Sequence, residues 1–354
     1  MKSNKLNIFI CLSCGAVIFF FIFFSTGFDT LKEHFHSLKL WWIAAALGCM
    51  IVYWFLDSLV LHSMIKPMHK KQRFISSFRT AMGAQYFNSI TPFSTGGQPF
   101  QAYYLTKQGI SLGVVINSLL SKFIIYQTAL VLVSAGLLVF RLGYFKSQIS
   151  NFTFVVVVGF LINLAVLVFL ISCALFKNAT RKMAGLLIRF LAKIRLIKKP
   201  EEITAYVDKE LDKFSVCFGQ MMTNIPIMIL AVFLSIAQLV AYLSVPYMIY
   251  KAFGLYEIDF VTIIAAQSFV MMVSSFVPIP GAGVGAEGFF YFFFKQFFTQ
   301  KGQLGVALVL WRLITFYITL VVGAVFALNS SKGEPIIKDK LENEKNDTQQ
   351  TKKL

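Results

Sequence analysis

The sequence predicts an all-α, polytopic integral membrane protein, with about six full transmembrane helices plus two re-entrant, broken-helix segments. Three observations predict it. Apolar residues make up 57% of the chain, and Phe alone fills 39 of 354 positions, more than soluble domains carry. Several runs exceed the roughly 18 to 20 apolar residues that a helix needs to cross a hydrocarbon core. Two motifs, SITPFSTGGQPF at 89–100 and VPIPGAGVGAEG at 277–288, then break that continuity with prolines and glycines. The ten-residue alternation of a membrane barrel is absent, so helices must satisfy the backbone polar groups.

A first apolar run, Leu6 to Phe28, follows Lys2 and Lys5 and reads as a retained helix rather than a signal peptide, because it is long and further spans follow. DTLKEHFHSLK reads as an exterior loop. Trp41 and Trp42 open a second span to about Ile65, as belt aromatics do at an interface. Phe74 to Ile90 carries Arg79, Gln85 and Asn88 and is short for a crossing, so it reads as a half-helix that enters and turns back at the first motif. A long helix follows from about Leu112 to Phe140, with RLGYFKSQISN as an exterior loop. A fourth span covers Phe152 to Phe176.

The connection 177–224 is basic. Its MAGLLIRFLAKIRLI sets apolar residues between cations at helical spacing, the pattern of a helix lying in the interface. EEITAYVDKELDKFSVCFGQ continues it as a polar amphipathic helix. Pro226 sits in the first turn of a fifth span that ends near Tyr250. Asp259 to Val277 runs into the second motif, and the last span covers about Leu304 to Leu328. Domain boundaries follow: residues 1–329 form one transmembrane domain and 330–354 a charged, disordered cytoplasmic tail. Each break precedes a full span, the first entered from the cytoplasm and the second from the exterior. That order is the order of an inverted repeat with a midplane substrate site.

The net charge of +17 sits in loops and tails. Lys66, His69, Lys70, Lys71 and Arg73 form one cluster, and Lys177, Arg181, Lys182, Arg189, Lys193, Arg195, Lys198 and Lys199 another. Both mark cytoplasmic loops, which places the N- and C-termini in the cytoplasm of a multi-pass cell-membrane protein, and argue against nucleic-acid binding. Cys11, Cys14, Cys49, Cys173 and Cys217 lack disulfide or zinc spacing and read as packing residues. His34, His36, His62 and His69 lack ligand spacing and read as interfacial; no catalytic residue, metal or cofactor is expected.

Candidate substrate-binding residues cluster at the breaks. Proline removes a backbone donor and glycine admits unusual conformations, so peptide groups here need protein or a polar cavity to satisfy them. Thr91, Pro92, Gly96, Gly97, Gln98 and Pro99 form the first set, with Ser94 and Thr95 beside them; an ordinary interfacial loop is the alternative. Pro278, Pro280, Gly281, Gly283 and Glu287 form the second. GAGVGA satisfies a dinucleotide-loop pattern but lacks its strand, while its amides at a helix start still suit an anionic headgroup. Glu287 has three readings: neutralising a cation, relaying a proton, or capping its own helix. Lys122 lies roughly 15 Å into its helix at 1.5 Å per residue. It must face a cavity or a carboxylate, Glu287 first and Asp57 second. Arg312 either joins it or snorkels.

NSITPFSTGGQPFQAYYL with Lys122 downstream, VPIPGAGVGAEG, and WRLITFY around Arg312 resemble the lysylphosphatidylglycerol synthase transmembrane-region family, also described as flippase-like. The resemblance covers Leu6 to about Leu328. It departs at Ala282, where the family usually has a second glycine, and at Gly97-Gln98-Pro99, where it often has a GE pair followed by Arg; both leave the headgroup open. The resemblance implies a lipid translocase that moves a phospholipid, anionic or aminoacylated, between leaflets, with a place in lipid metabolism and antimicrobial-peptide resistance. The full-length synthase adds a soluble transferase domain, and none is expected after the last span here, so the expected activity is translocation rather than lysyl transfer from charged tRNA. The alternatives are that transferase activity, or a membrane partner of a separate synthase. The expected partner is membrane phospholipid, with a homodimer left open.

Overall fold

In a computed structural model of the chain, the described residues are 37–148, 152–193 and 223–330 except 276, 278, 284, 299 and 301, with scattered positions in 201–219. The expected first span, the second helix of the basic connection and the tail therefore lie outside the described residues or are only sparsely covered. Among the described residues every regular element is helical. Five spans among the described residues are long and apolar enough to cross a membrane, which makes this a multi-pass membrane protein.

Helix α1 (Leu40–Ile65) is apolar all round but for Asp57 and a few small polar residues, and it stops just before Pro67. Helix α2 (Phe74–Ile90) ends where Thr91 turns extended ahead of Pro92, since the residue before proline avoids the helical region. A 3₁₀ turn at Pro92–Ser94 leads to α3 (Gly97–Lys107), which packs back on α2. Helix α4 (Leu112–Gln148) runs past the predicted end at Phe140. The expected exterior loop is helical as far as it is described. No proline interrupts it, and Arg141 ties it to Asp259 with an Nη2–Oδ1 contact of 2.7 Å.

Helices α5 (Phe152–Leu175) and the amphipathic α6 (Lys177–Lys193) follow. The second half then repeats the order. Helices α7 (Ile225–Leu243) and α8 (Val245–Ala252) together make the predicted fifth span. Helix α9 (Phe260–Ser274) is N-capped by Asp259, which accepts from the Thr262 amide. A second 3₁₀ turn at Pro280–Ala282 leads to α10 (Gly285–Phe294). The last span is α11 (Gln303–Arg312), a π-helical stretch at Leu313–Tyr317, and α12 (Ile318–Ser330).

The two broken segments approach from opposite faces. The Lys39 amide, at the start of α1, donates to the Ala252 carbonyl at the end of α8 over 2.9 Å. At the other end of α1, Met64 packs with Ala231 near the start of α7. So α1 is antiparallel to α7–α8; α2 starts on the Met64 face and α9 on the Ala252 face. Their terminal turns nevertheless meet, packed against each other. At about 25 Å for the 17 residues of α2 and about 23 Å for the 15 of α9, neither helix need cross alone. Helix α12 closes the contact. A Cβ on Gly323 would stand 2.8 Å from the Tyr86 nitrogen, so two backbones touch through a small residue.

Candidate functional site

Two buried ion pairs lie inside the bundle, one in each half. On α1, Asp57 accepts from Lys122 of α4, with Nζ–Oδ1 at 2.7 Å. The Gln238 amide of α7 donates to the same Asp57 oxygen over 3.1 Å. In the second half, Arg312 of α11 meets Glu287 of α10, with Nε–Oε1 at 2.6 Å. Both residues of this second pair are more than nine-tenths buried. Its N–H is out of line for a hydrogen bond, so the contact is a close ion pair.

The partner expected first for Lys122 is corrected: it takes Asp57, and Glu287 takes Arg312. The reason is topological. Lys122 and Arg312 each sit about ten residues into the long helix that follows a break. Each cation therefore reaches an acid of its own half. Arg312 does not snorkel; its guanidinium lies 4.8 Å from the Trp311 ring and 5.4 Å from the Phe316 ring. Glu287 stands in the first turn of α10 and meets this cation, the first of its three readings.

Between the pairs runs a line of polar side chains. Gln85 and Gln238 stand near the Tyr53 hydroxyl, one turn before Asp57. Tyr53 and Tyr242 hold their rings 5.4 Å apart. Tyr242 stands near Thr315 and Arg312, and the Thr315 hydroxyl donates to the Trp311 carbonyl over 2.7 Å. The Arg312 Nη2 and the Glu287 Oε2 are buried with no protein partner among the described residues. A buried donor and a buried acceptor left open side by side cost about 1–3 kcal/mol each unless another group meets them. That arrangement suits a ligand carrying both an anion and a cation.

The first turn is arranged differently from the expectation. The amides of Gly96 and Gly97 donate to Thr91 Oγ1 and Asn88 Oδ1, each over 2.8 Å, and the Thr91 hydroxyl donates to the Phe87 carbonyl over 2.7 Å. These groups hold the turn rather than reach outward. Pro92, Ser94, Thr95, Gln98 and Pro99 are exposed. In the second turn Pro280 and Gly283 are buried, and Gly281 backs onto Phe316, the ring beside Arg312. Pro278 lies outside the described residues. The first turn thus reaches the charges through the second, against which it packs.

Sequence reasoning missed Tyr53, Gln238, Tyr242 and Thr315. A signal was present: Tyr53 with Asp57, and Gln238 with Tyr242, stand four apart on otherwise apolar helices, hence on one face.

Against known proteins, the family described as the lysylphosphatidylglycerol synthase TM region matches residues 8–323. A protein of Archaeoglobus fulgidus, described as a UPF0104 membrane protein, is 26% identical over 302 residues, which cover 84% of this chain and 89% of that one.

Proposed function

Because the chain belongs to the lysylphosphatidylglycerol synthase TM-region family, we propose that it is a flippase-like translocase, moving phospholipid headgroups between leaflets past the two broken turns. The observation that carries this reading is the Arg312–Glu287 pair, which keeps one donor and one acceptor open at a helix break.

An aminoacylated phosphatidylglycerol offers a phosphate and an ammonium. The phosphate takes the open Nη2 of Arg312, and the ammonium takes the open oxygen of Glu287. Both are charge-assisted contacts, about twice as strong as neutral ones. The headgroup thereby exchanges water for fixed charges, while the acyl chains stay in lipid. Lys122 and Asp57, reached along the Tyr53–Tyr242 line, form the second station. A path entered from one face at α2 and from the other at α9 gives each leaflet its own approach. We place the cluster Lys66–Arg73 and helix α6 in the cytoplasm, because cations collect there, and the protein in the cell membrane.

The test is leaflet exchange of fluorescent and aminoacylated phosphatidylglycerol in vesicles containing the purified protein. Glu287→Gln and Lys122→Ala are expected to slow exchange at least ten-fold. Equal exchange in protein-free vesicles, wild type and both variants would sink the reading. Lysyl-lipid made by the protein from charged tRNA would replace it with an enzyme.

A further inference from the structure

Away from the ion pairs, on the face where α1 begins and α8 ends, two lysines converge on one phenol. The ammonium of Lys39 donates to the Tyr256 hydroxyl over 3.3 Å. The ammonium of Lys251 lies 4.2 Å from the centre of the same ring and 5.1 Å from that of Tyr247. Lys251 is 9% exposed, a depth at which an ammonium ordinarily has a carboxylate beside it.

Here it has none: among the described residues neither Lys39 nor Lys251 makes an ion pair. Glu257, which follows Tyr256, is exposed and makes no ion pair with either lysine among the described residues, and Asp259 is taken by Arg141 and Thr262. The Tyr256 phenol is held below its usual value, first by the hydrogen bond from Lys39 and also by both positive charges, although desolvation opposes them. The Lys39 stem lies across Gly254, and the Lys39 amide is fastened to Ala252. The two chain segments that carry the lysines are therefore tied together. Trp41, largely exposed, and Trp42 stand one and two positions beyond Leu40, the aromatic belt of a membrane interface.

Two like charges gathered on one aromatic ring repel, and cation–π contact returns only about 0.5–2 kcal/mol at each. An oxyanion between the ammoniums relieves the repulsion and accepts from both. We propose that Lys39, Lys251 and Tyr256 form a phosphate-binding cradle at the membrane interface, opposite the basic face and separate from the Arg312–Glu287 site. Its ligand is a phosphate oxyanion, either the phosphodiester of an anionic phospholipid or free inorganic phosphate. Lysine suits this as a point charge on a flexible stem, and the phenol adds a hydroxyl donor.

The test is binding by the full chain in detergent, read by native mass spectrometry with two probes, a short-chain phosphatidylglycerol and inorganic phosphate. Lys39→Gln is expected to weaken binding about three-fold and Lys39→Gln with Lys251→Gln about ten-fold or more. The Lys39→Arg/Lys251→Arg pair should restore it, and Lys146→Gln, exposed on α4, should leave it unchanged. Loss for the lipid alone identifies the phospholipid, and loss for both probes identifies any phosphate. Wild-type affinity for both probes in Lys39→Gln, which removes only an exposed side chain and is checked for folding by its melting curve, would overturn the cradle. This readout needs no transport, so it stands or fails apart from the translocase reading.

Discussion

The turns at Pro92–Ser94 and Pro280–Ala282 open on the same backbone and differ in how they close and in what surrounds them: Ser94 is also left-handed, at φ 53°, and Thr95 closes at ψ −12° where Gly283 closes at ψ 147°. Thr91 and Ile279 are both extended, at φ −116° and ψ 146° and at φ −111° and ψ 139°. Phe93 and Gly281, two positions on, are both left-handed, at φ 54° and 66°. The Thr95 and Gly283 amides donate to the proline carbonyls over 3.3 Å in each case. Yet one left-handed position holds a phenylalanine and the other a glycine. Phe93 is half exposed and its side chain has room, so the strain of a left-handed non-glycine, roughly 1–2 kcal/mol, is tolerated. At Gly281 a Cβ would collide with the Phe316 ring. Proline sets the turn, and the neighbour chooses the residue. The first break is fastened to itself through Asn88 and Thr91; the second is fastened to the charges through Phe316.

The sharpest way to break that contrast is to remove each cation. Arg312→Met leaves Glu287 buried without its ion-pair partner and is expected to cost about 3–5 kcal/mol. Lys122→Met leaves Asp57 with Gln238 and should cost about half as much by the same principle. Denaturation in detergent measures both, and equal losses would erase the asymmetry. Next, Gly281→Ala combines left-handed strain with overpacking and should cost roughly 2–4 kcal/mol. Phe93→Gly relieves strain but frees the unfolded chain, so its effect should stay within about 1 kcal/mol. If both glycine-site variants melt alike, the turns are not differently constrained.

Asn88→Ala strands the Gly97 amide and should cost about 1–2 kcal/mol, with little direct effect on the ion pairs. The smallest effect concerns how the broken helices start. Asp259→Ala removes the cap of α9 for about 1 kcal/mol, whereas α2 begins at Arg73 with no side-chain cap to lose. Burial pushes the Asp259 carboxyl up, but the Thr262 hydroxyl and amide and Arg141 outweigh it and hold it below its ordinary 3.8. A depressed carboxylate stabilises the fold above its unfolded value and loses that contribution as pH falls through its folded one. The difference between wild type and Asp259→Ala should therefore hold steady from neutral pH to about 5 and shrink below about 4.

Much of the helical plan was legible because crossing lipid leaves few options: apolar runs of sufficient length are helices, and prolines end them. Helix α7 starts at Ile225 with Pro226 in its first turn, as read. The two breaks were legible for the same reason, and so were Lys122, Glu287 and Arg312, because charge at membrane depth is conspicuous. Their pairing was not. Which acid meets which cation depends on how α1 and α7 cross, and a chain read along its length holds no record of that crossing. The repeat was hidden for another reason. TPF and IPG share one identity in three, yet they fold alike, because a left-handed position accepts phenylalanine where solvent adjoins it and only glycine where a ring does.

The π-helical stretch at Leu313–Tyr317 falls directly after Arg312. An extra residue in a turn sets the helix beyond it back by about 100° relative to an unbroken one. The last span is thus two rotors on one shaft, with its upper end phased to hold Arg312 on Glu287 and its lower end phased to lay Gly323 on Tyr86. Each end can be timed without disturbing the other.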